Sequence, residues 1–179
     1  MVILMKSSIE VKQVNIIDLD VDAVVNAANS QLLEGGGVCG AIFRKAGSDE
    51  LARACSEIGG CETGNAVITP GFNLSSKYVI HAVGPVWQGE NSNEAELLYS
   101  AYKNSLKLAK ENDCTSIAFP LISSGIYGYP KKAAWKIAVQ SCSDFINDNP
   151  DYSIKIIFAV LSEESLKLGE SIMDSIIDK

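Results

Sequence analysis

Histidine is almost missing from this chain: His81 is the only one in 179 residues. Cysteine is sparse too, with five residues (Cys39, Cys55, Cys61, Cys114, Cys142), an odd number without a CxxC pair. A disulfide framework and a zinc site are therefore not expected, and no metal or other cofactor is implied. Positive charge is also short. Fifteen Lys and Arg stand against 22 Asp and Glu, a net charge of −7, which argues against general binding to a nucleic-acid backbone. Long hydrophobic runs are lacking: the apolar MVILM is broken at once by Lys6. With neither a charged leader nor an apolar stretch of about 7–15 residues, a cytoplasmic chain that does not engage membranes is expected. No repeat, low-complexity tract or Pro/Gly linker divides the sequence, so residues 1–179 read as one domain.

What is present suits a folded domain. Apolar residues make up 47% and charged residues 21%, enough to bury roughly 70% of the unfolded surface around one core. Apolar runs rich in β-branched residues predict strands at Val2–Leu4, Ile9–Val14, Ala23–Asn26, Ala66–Thr69, Lys77–Val83, Ser116–Pro120 and Ile154–Leu161. Helical periodicity occupies Val38–Ile58, Glu94–Asn112, Lys131–Asn147 and Glu163–Ile177. The last carries Leu166, Gly169, Ile172, Met173, Ile176 and Ile177 on one face. Strands alternating with helices imply an α/β fold with three layers, α/β/α, around a mixed, mostly parallel sheet of about six or seven strands. Ligands of such sheets bind beyond the carboxyl ends of strands.

Two glycine-rich loops fall at those places. In VVNAANSQLLEGGGVCGAIF a strand ends near Asn26, Gly35-Gly36-Gly37 follow, and a helix opens near Val38. In FPLISSGIYGYPKK a strand is followed by Ser123-Ser124-Gly125-Ile126-Tyr127-Gly128 and a helix from about Pro130. Glycine lets the backbone approach a ligand, and a helix N-terminus offers unpaired N–H groups to an anion. Neither loop contains Lys or Arg before Lys131, so a phosphate there would be held by peptide N–H groups and by the hydroxyls of Ser123 and Ser124. Two such cradles suit a diphosphate. Either loop alone reads as a tight connection with glycine at positive φ; the pair after two strands is what points to function.

Other anion and cation motifs fail. Gly35, Gly37 and Gly40 satisfy GxGxxG, but the strand ends some eight residues earlier and Glu57, the nearest acid at the ribose-binding distance, falls late in a helix. No GxxxxGK[ST] occurs. Asp18, Asp20 and Asp22 imitate the start of an EF-hand loop, yet Ala23 stands at its sixth position and Asn29 at its twelfth.

The segments VVNAANSQLLEGGGVCGAI, CETGNAVITPG, KYVIHAVGPVW and SIAFPLISSGIYGYP, in this order and spacing, make the chain similar to the macro-domain family. It most resembles the MacroD-like branch of O-acetyl-ADP-ribose and ADP-ribosyl-ester hydrolases. The resemblance covers nearly the whole chain and implies a single macro domain whose partner is ADP-ribose, free or attached to protein. It sets Asn26 and Asn29 against the distal ribose, with Ala27 and Ala28 leaving space between them. Gly36, Gly37 and Val38 would border the diphosphate on one side, with Ser123, Ser124, Gly125, Ile126 and Tyr127 closing over the other and Tyr127 stacking near the distal ribose. As turn residues, Asn26 and Asn29 could instead be capping groups.

Five departures separate this chain from the family pattern. The adenine-recognising Gly-Asp-Ile becomes Val14-Asn15-Ile16, where Asn15 accepts more weakly than a carboxylate. An aromatic beside adenine becomes Leu161, which keeps apolar contact without stacking. The hydrolase loop GGGVDGAIH reads GGGVCGAIF, so Cys39 and Phe43 replace the aspartate and histidine that organise water; neither is a carboxylate base, and phenylalanine transfers no proton. TGH becomes Thr63-Gly64-Asn65. Cys39 at a helix start could be a nucleophile, but the sequence offers no neighbouring base, since His81 lies mid-strand as a packing residue, and a buried inert thiol is the plainer reading. The expected function is therefore ADP-ribose binding. Two alternatives remain: a hydrolase of O-acetyl-ADP-ribose or ADP-ribosyl esters using water held by Asn29, with Asn29 and Cys39 the catalytic candidates, or a protein-interaction scaffold without nucleotide.

Overall fold

A computed structural model of the protein describes residues 6–89 and 93–177. Its strands are β1 Ser8–Gln13, β2 Ala23–Ala27, β3 Ala66–Pro70, β4 Tyr78–Ala82, β5 Ser116–Phe119 and β6 Lys155–Val160. Its helices are α1 Gly37–Ala46, α2 Ser48–Ile58, α3 Glu94–Glu111, α4 Lys131–Asp148 and α5 Glu163–Ile176, with a short 3-10 turn at Ile16–Asp18. The strand expected at Val2–Leu4 lies outside the described residues. The six strands form one sheet in the order β1-β6-β5-β2-β4-β3. All neighbours run parallel except β3 and β4, which are antiparallel at one edge.

Strand alternation sorts the core into two clusters, one on each face of the sheet. Val25, Ile80, Ile117 and Phe158 pack beneath α3, α4 and α5 with Leu98, Tyr102, Trp135 and Ile172. Val24, Val79, Ala118 and Ile157 pack beneath α1 and α2 with Ile42, Phe43, Leu51 and Cys55. The result is the three-layer α/β/α arrangement the alternation predicts. The glycine in the apolar stripe of α5 has a steric cause: a Cβ at Gly169 would come within 2.7 Å of the Trp135 indole, so the bare backbone lets α5 seat against α4.

The single helix expected over Val38–Ile58 is two. Gly47 adopts φ +110°, a conformation side chains resist, and it both ends α1 and begins α2. Its N–H donates to Phe43 O at 2.9 Å while its own carbonyl accepts from Leu51 N at 3.0 Å. Hydrophobic periodicity runs through this joint because both helices bury the same face, which is why the pattern alone shows no break.

Candidate functional site

The carboxyl ends of β1, β2, β5 and β6 open into a cleft of about 660 Å³. Its walls are segments 14–16, 27–29, 35–39, 120–127 and 159–162, joined by Ala41, Gly84, Lys131 and Ser165. The two glycine loops, some ninety residues apart in sequence, therefore face one space.

The first loop is tied down by side chains. Asn29 Oδ1 accepts from Leu33 N at 3.0 Å, and Asn29 Nδ2 donates to Leu33 O at 2.8 Å. Leu32, at φ +59° and buried, plugs the turn into the core. Cys61 N donates to Ser30 O at 2.8 Å, bracing the loop from behind. Gly37 takes φ +57°, and a Cβ on Gly36 or Gly37 would meet nothing within 4 Å, so both present bare backbone to open space. Gly40 is obligatory for another reason. A Cβ there would lie 2.6 Å from Gly35 O, so its absence lets α1 start hard against the loop. No side chain caps α1 at Gly36.

The second loop is tied by its own main chain. Gly128 N donates to Gly125 O at 3.0 Å, Tyr129 N to Ser123 O at 2.9 Å, and Trp87 N to Tyr127 O at 2.8 Å. Ser123 holds φ +69°, strained for a residue with a side chain, and is 6% exposed. Among the described residues its hydroxyl has no hydrogen-bond partner, and it abuts Gly84, where a Cβ would lie 2.2 Å from it. Ser124 lines the cleft, its Oγ donating to Leu121 O at 2.8 Å.

Among the described residues, no protein acceptor takes the main-chain N–H of Gly36, Gly37, Val38, Gly125, Ile126 or Tyr127. These groups are the feature of the site with the clearest chemical meaning. Donors left unpaired at a cleft cost stability unless water or a ligand meets them, and together with the N-terminal end of α1 they attract an anion.

The remaining candidates divide by depth. Asn15 and Ile16 line the cleft, but Asn15 Oδ1 accepts from Ile17 N at 3.3 Å as the cap of the 3-10 turn. Leu161 and Ile126 stand on separate walls with 78% and 93% of their surface exposed. Asn26 is the correction. Placed against a ribose by resemblance, it is 1% exposed and does not line the cleft. As an interior residue of β2 it points toward α1 and α2, where Nδ2 donates to His81 Nδ1 at 3.1 Å and Oδ1 has no partner among the described residues.

His81 is more than packing. With Asn26 donating to Nδ1, its proton sits on Nε2 and is donated to Thr69 Oγ1 at 3.0 Å, while Cys55 Sγ lies 3.8 Å away. Burial lowers its pKa from 6.5 to about 4. Phe43 meets the imidazole edge-on at 6.5 Å between centroids. Neither Phe43 nor His81 lines the cleft. Cys39 itself is 5% exposed and donates to Leu33 O at 3.7 Å.

Sequence reasoning passed over Gly84, Ser162, Ser165 and Lys131. Among the described residues lining the cleft, Lys131 is the one that carries positive charge. Its signal was available, since a helix starting directly after Pro130 puts residue 131 at the mouth.

Three comparisons bear on this geometry. The family model described as Macro domain matches residues 25–138. A macro domain-containing protein of Chlorobaculum tepidum is 54% identical over 152 residues, 85% of this chain and 87% of that protein. A protein of Escherichia fergusonii named O-acetyl-ADP-ribose deacetylase is 52% identical over 170 residues, 92% of this chain and 94% of its own length. Among solved structures, a variant of the Oceanobacillus iheyensis macrodomain with ADPR superposes with a TM-score of 0.89 at 36% identity, covering 97% of this chain and 96% of that one.

Proposed function

The chain belongs to the macro-domain family, and from that premise we propose that its cleft binds ADP-ribose, free or carried on a protein, with the diphosphate held between the two loops. The carrying observation is that Gly36–Val38 and Gly125–Tyr127, whose N–H groups have no protein acceptor among the described residues, line one cavity. Neutral peptide donors suit a protein of net charge −7, because they coordinate phosphate oxygens without a cationic surface that would attract nucleic acid. Ile126 and Leu161 supply apolar contact on separate walls, and burying them beneath ligand adds to affinity. Five free cysteines, four of them buried, suit a reducing compartment, and we place the protein in the cytoplasm.

A second reading, hydrolysis of O-acetyl-ADP-ribose or of ADP-ribosyl esters, is favoured by the relative named for that deacetylation. Cys39 and Phe43 provide no general base, so turnover would rest on positioning of water and on the dipoles of the loops.

Thermal unfolding with ADP-ribose tests binding: ligand at a hundred times its dissociation constant adds about 2.7 kcal/mol. No shift at millimolar ADP-ribose overturns the proposal and leaves a scaffold. Release of acetate from O-acetyl-ADP-ribose, followed beside the binding curve, decides the second reading.

A further inference from the structure

Building on the reading that the cleft takes ADP-ribose, we propose that Cys39 is a positioning residue. Acting through the Leu33 main chain, it holds the Asn29 carboxamide in a closed clamp and so fixes the shape of the first loop and the direction in which Asn29 faces the cleft.

The clamp is a set of three contacts on the main chain of one residue. Leu33 N–H donates to Asn29 Oδ1 at 3.0 Å, Asn29 Nδ2 donates to Leu33 O at 2.8 Å, and the Cys39 thiol donates to the same oxygen at 3.7 Å. The Leu33 side chain, 58% exposed, adds little anchorage of its own, so beyond the buried Leu32 beside it these contacts are what hold the residue 33 main chain. A planar carboxamide engaged at both ends cannot rotate toward a ligand without breaking two hydrogen bonds. The chemistry of residue 39 decides whether that arrangement is stable. A thiol or hydroxyl donates to Leu33 O; an aspartate, acceptor only when ionised, sets like partial charges against each other and drives the Leu33 carbonyl away. Cys39 also lies under the loop it controls, its Sγ 3.9 Å from where a Cβ on Gly35 would stand. Residue 39 therefore sets the orientation of Asn29 through the Leu33 carbonyl.

The test joins nucleotide titration to NMR. In calorimetry with ADP-ribose, Cys39→Ser keeps the wild-type dissociation constant within about twofold, because a hydroxyl replaces the donor. Cys39→Ala and Asn29→Ala each weaken binding by about threefold to tenfold, and the double variant is no weaker than the weaker single one, the mark of two residues acting through one element. A purely structural role for Cys39 predicts additive losses instead, and additivity overturns the proposal. The second readout is the Asn29 side-chain amide signal of the full chain labelled with nitrogen-15, without nucleotide. It holds its position in Cys39→Ser and moves toward that of a free carboxamide in Cys39→Ala and Cys39→Asp; an unmoved signal in both overturns the clamp. Because this reading uses ligand-free protein, it decides the clamp even where the wild type fails to bind ADP-ribose, which would count against the function alone.

Discussion

The two glycine loops offer the same donors to the cleft, yet they rest on different foundations. The first is held by side chains, through Asn29, Cys39 and the Leu32 plug. The second is held mainly by main-chain bonds to itself and to Trp87, with the Ser124 and Tyr102 hydroxyls adding one bond each. Their footings differ as well. Beneath the first side lies His81, which burial keeps neutral by lowering its pKa to about 4. Beneath the second lies Tyr102, whose hydroxyl accepts from Ile122 N at 2.9 Å and which burial pushes far above the ordinary tyrosine range. One footing can acquire charge in mild acid; the other stays neutral throughout. A site can thus have matched binding surfaces whose tolerance to sequence and solution conditions differs.

The largest expected effect breaks the second loop alone. A Cβ at Gly125 would meet nothing within 4 Å, and its φ is not left-handed, so Gly125→Glu folds normally. Its carboxylate, however, stands among the free N–H groups, and two like charges about 4 Å apart repel by about 4 kcal/mol near a protein surface. Calorimetry should show ADP-ribose affinity reduced at least about a hundredfold with the melting temperature unchanged; a lowered melting temperature would instead mean that the loop itself is structural.

Acid should act on the other side. The folded pKa of His81, about 4, lies below the ordinary 6.5, so the unfolded chain binds the extra proton. The stability this histidine contributes is complete above pH 6.5 and is lost as pH falls from there toward 4. At about 1.4 kcal/mol per pH unit the loss reaches about 3 kcal/mol. Urea unfolding at pH 7, 5 and 4 measures it, and His81→Gln should flatten the slope over that window. If the slope persists in the variant, carboxylates rather than this imidazole carry the acid response.

The smallest effect sharpens the comparison at the mouth. Lys131 lines the cleft at the end of the second loop, whereas the adjacent Lys132 does not. Both are exposed, and exposed charges contribute below about 1 kcal/mol. Lys131→Gln should weaken ADP-ribose binding about threefold in low salt and less in 0.5 M salt, with Lys132→Gln unchanged. Equal losses in both variants would assign the effect to general charge.

Most of what the sequence conveyed concerns backbone. Strand ends, both loops and the faces of the helices were legible because β-branched runs, glycine clusters and periodicity are local signals. The joint at Gly47 was not, since a glycine inside a continuous apolar stripe looks the same whether it bends the chain or merely sits in it. Side-chain direction was harder. Asn26 and Asn29 look equivalent in NAAN, but Asn26 is still in register with His81 on β4, while Asn29 lies past the strand and bonds back to Leu33. Only pairing across the sheet separates them. The same holds for Ser124, whose proton goes to Leu121 O, a partner three residues earlier that composition does not reveal.

The cleft draws its walls from stretches as far apart as residues 14–16 and 159–165. A polypeptide still being synthesised has no complete recognition surface until β6 and the start of α5 are in place, and a protease cut between those stretches separates one wall from another. Bound nucleotide consequently favours only the finished, uncut chain, so resistance to digestion becomes a direct gauge of occupancy.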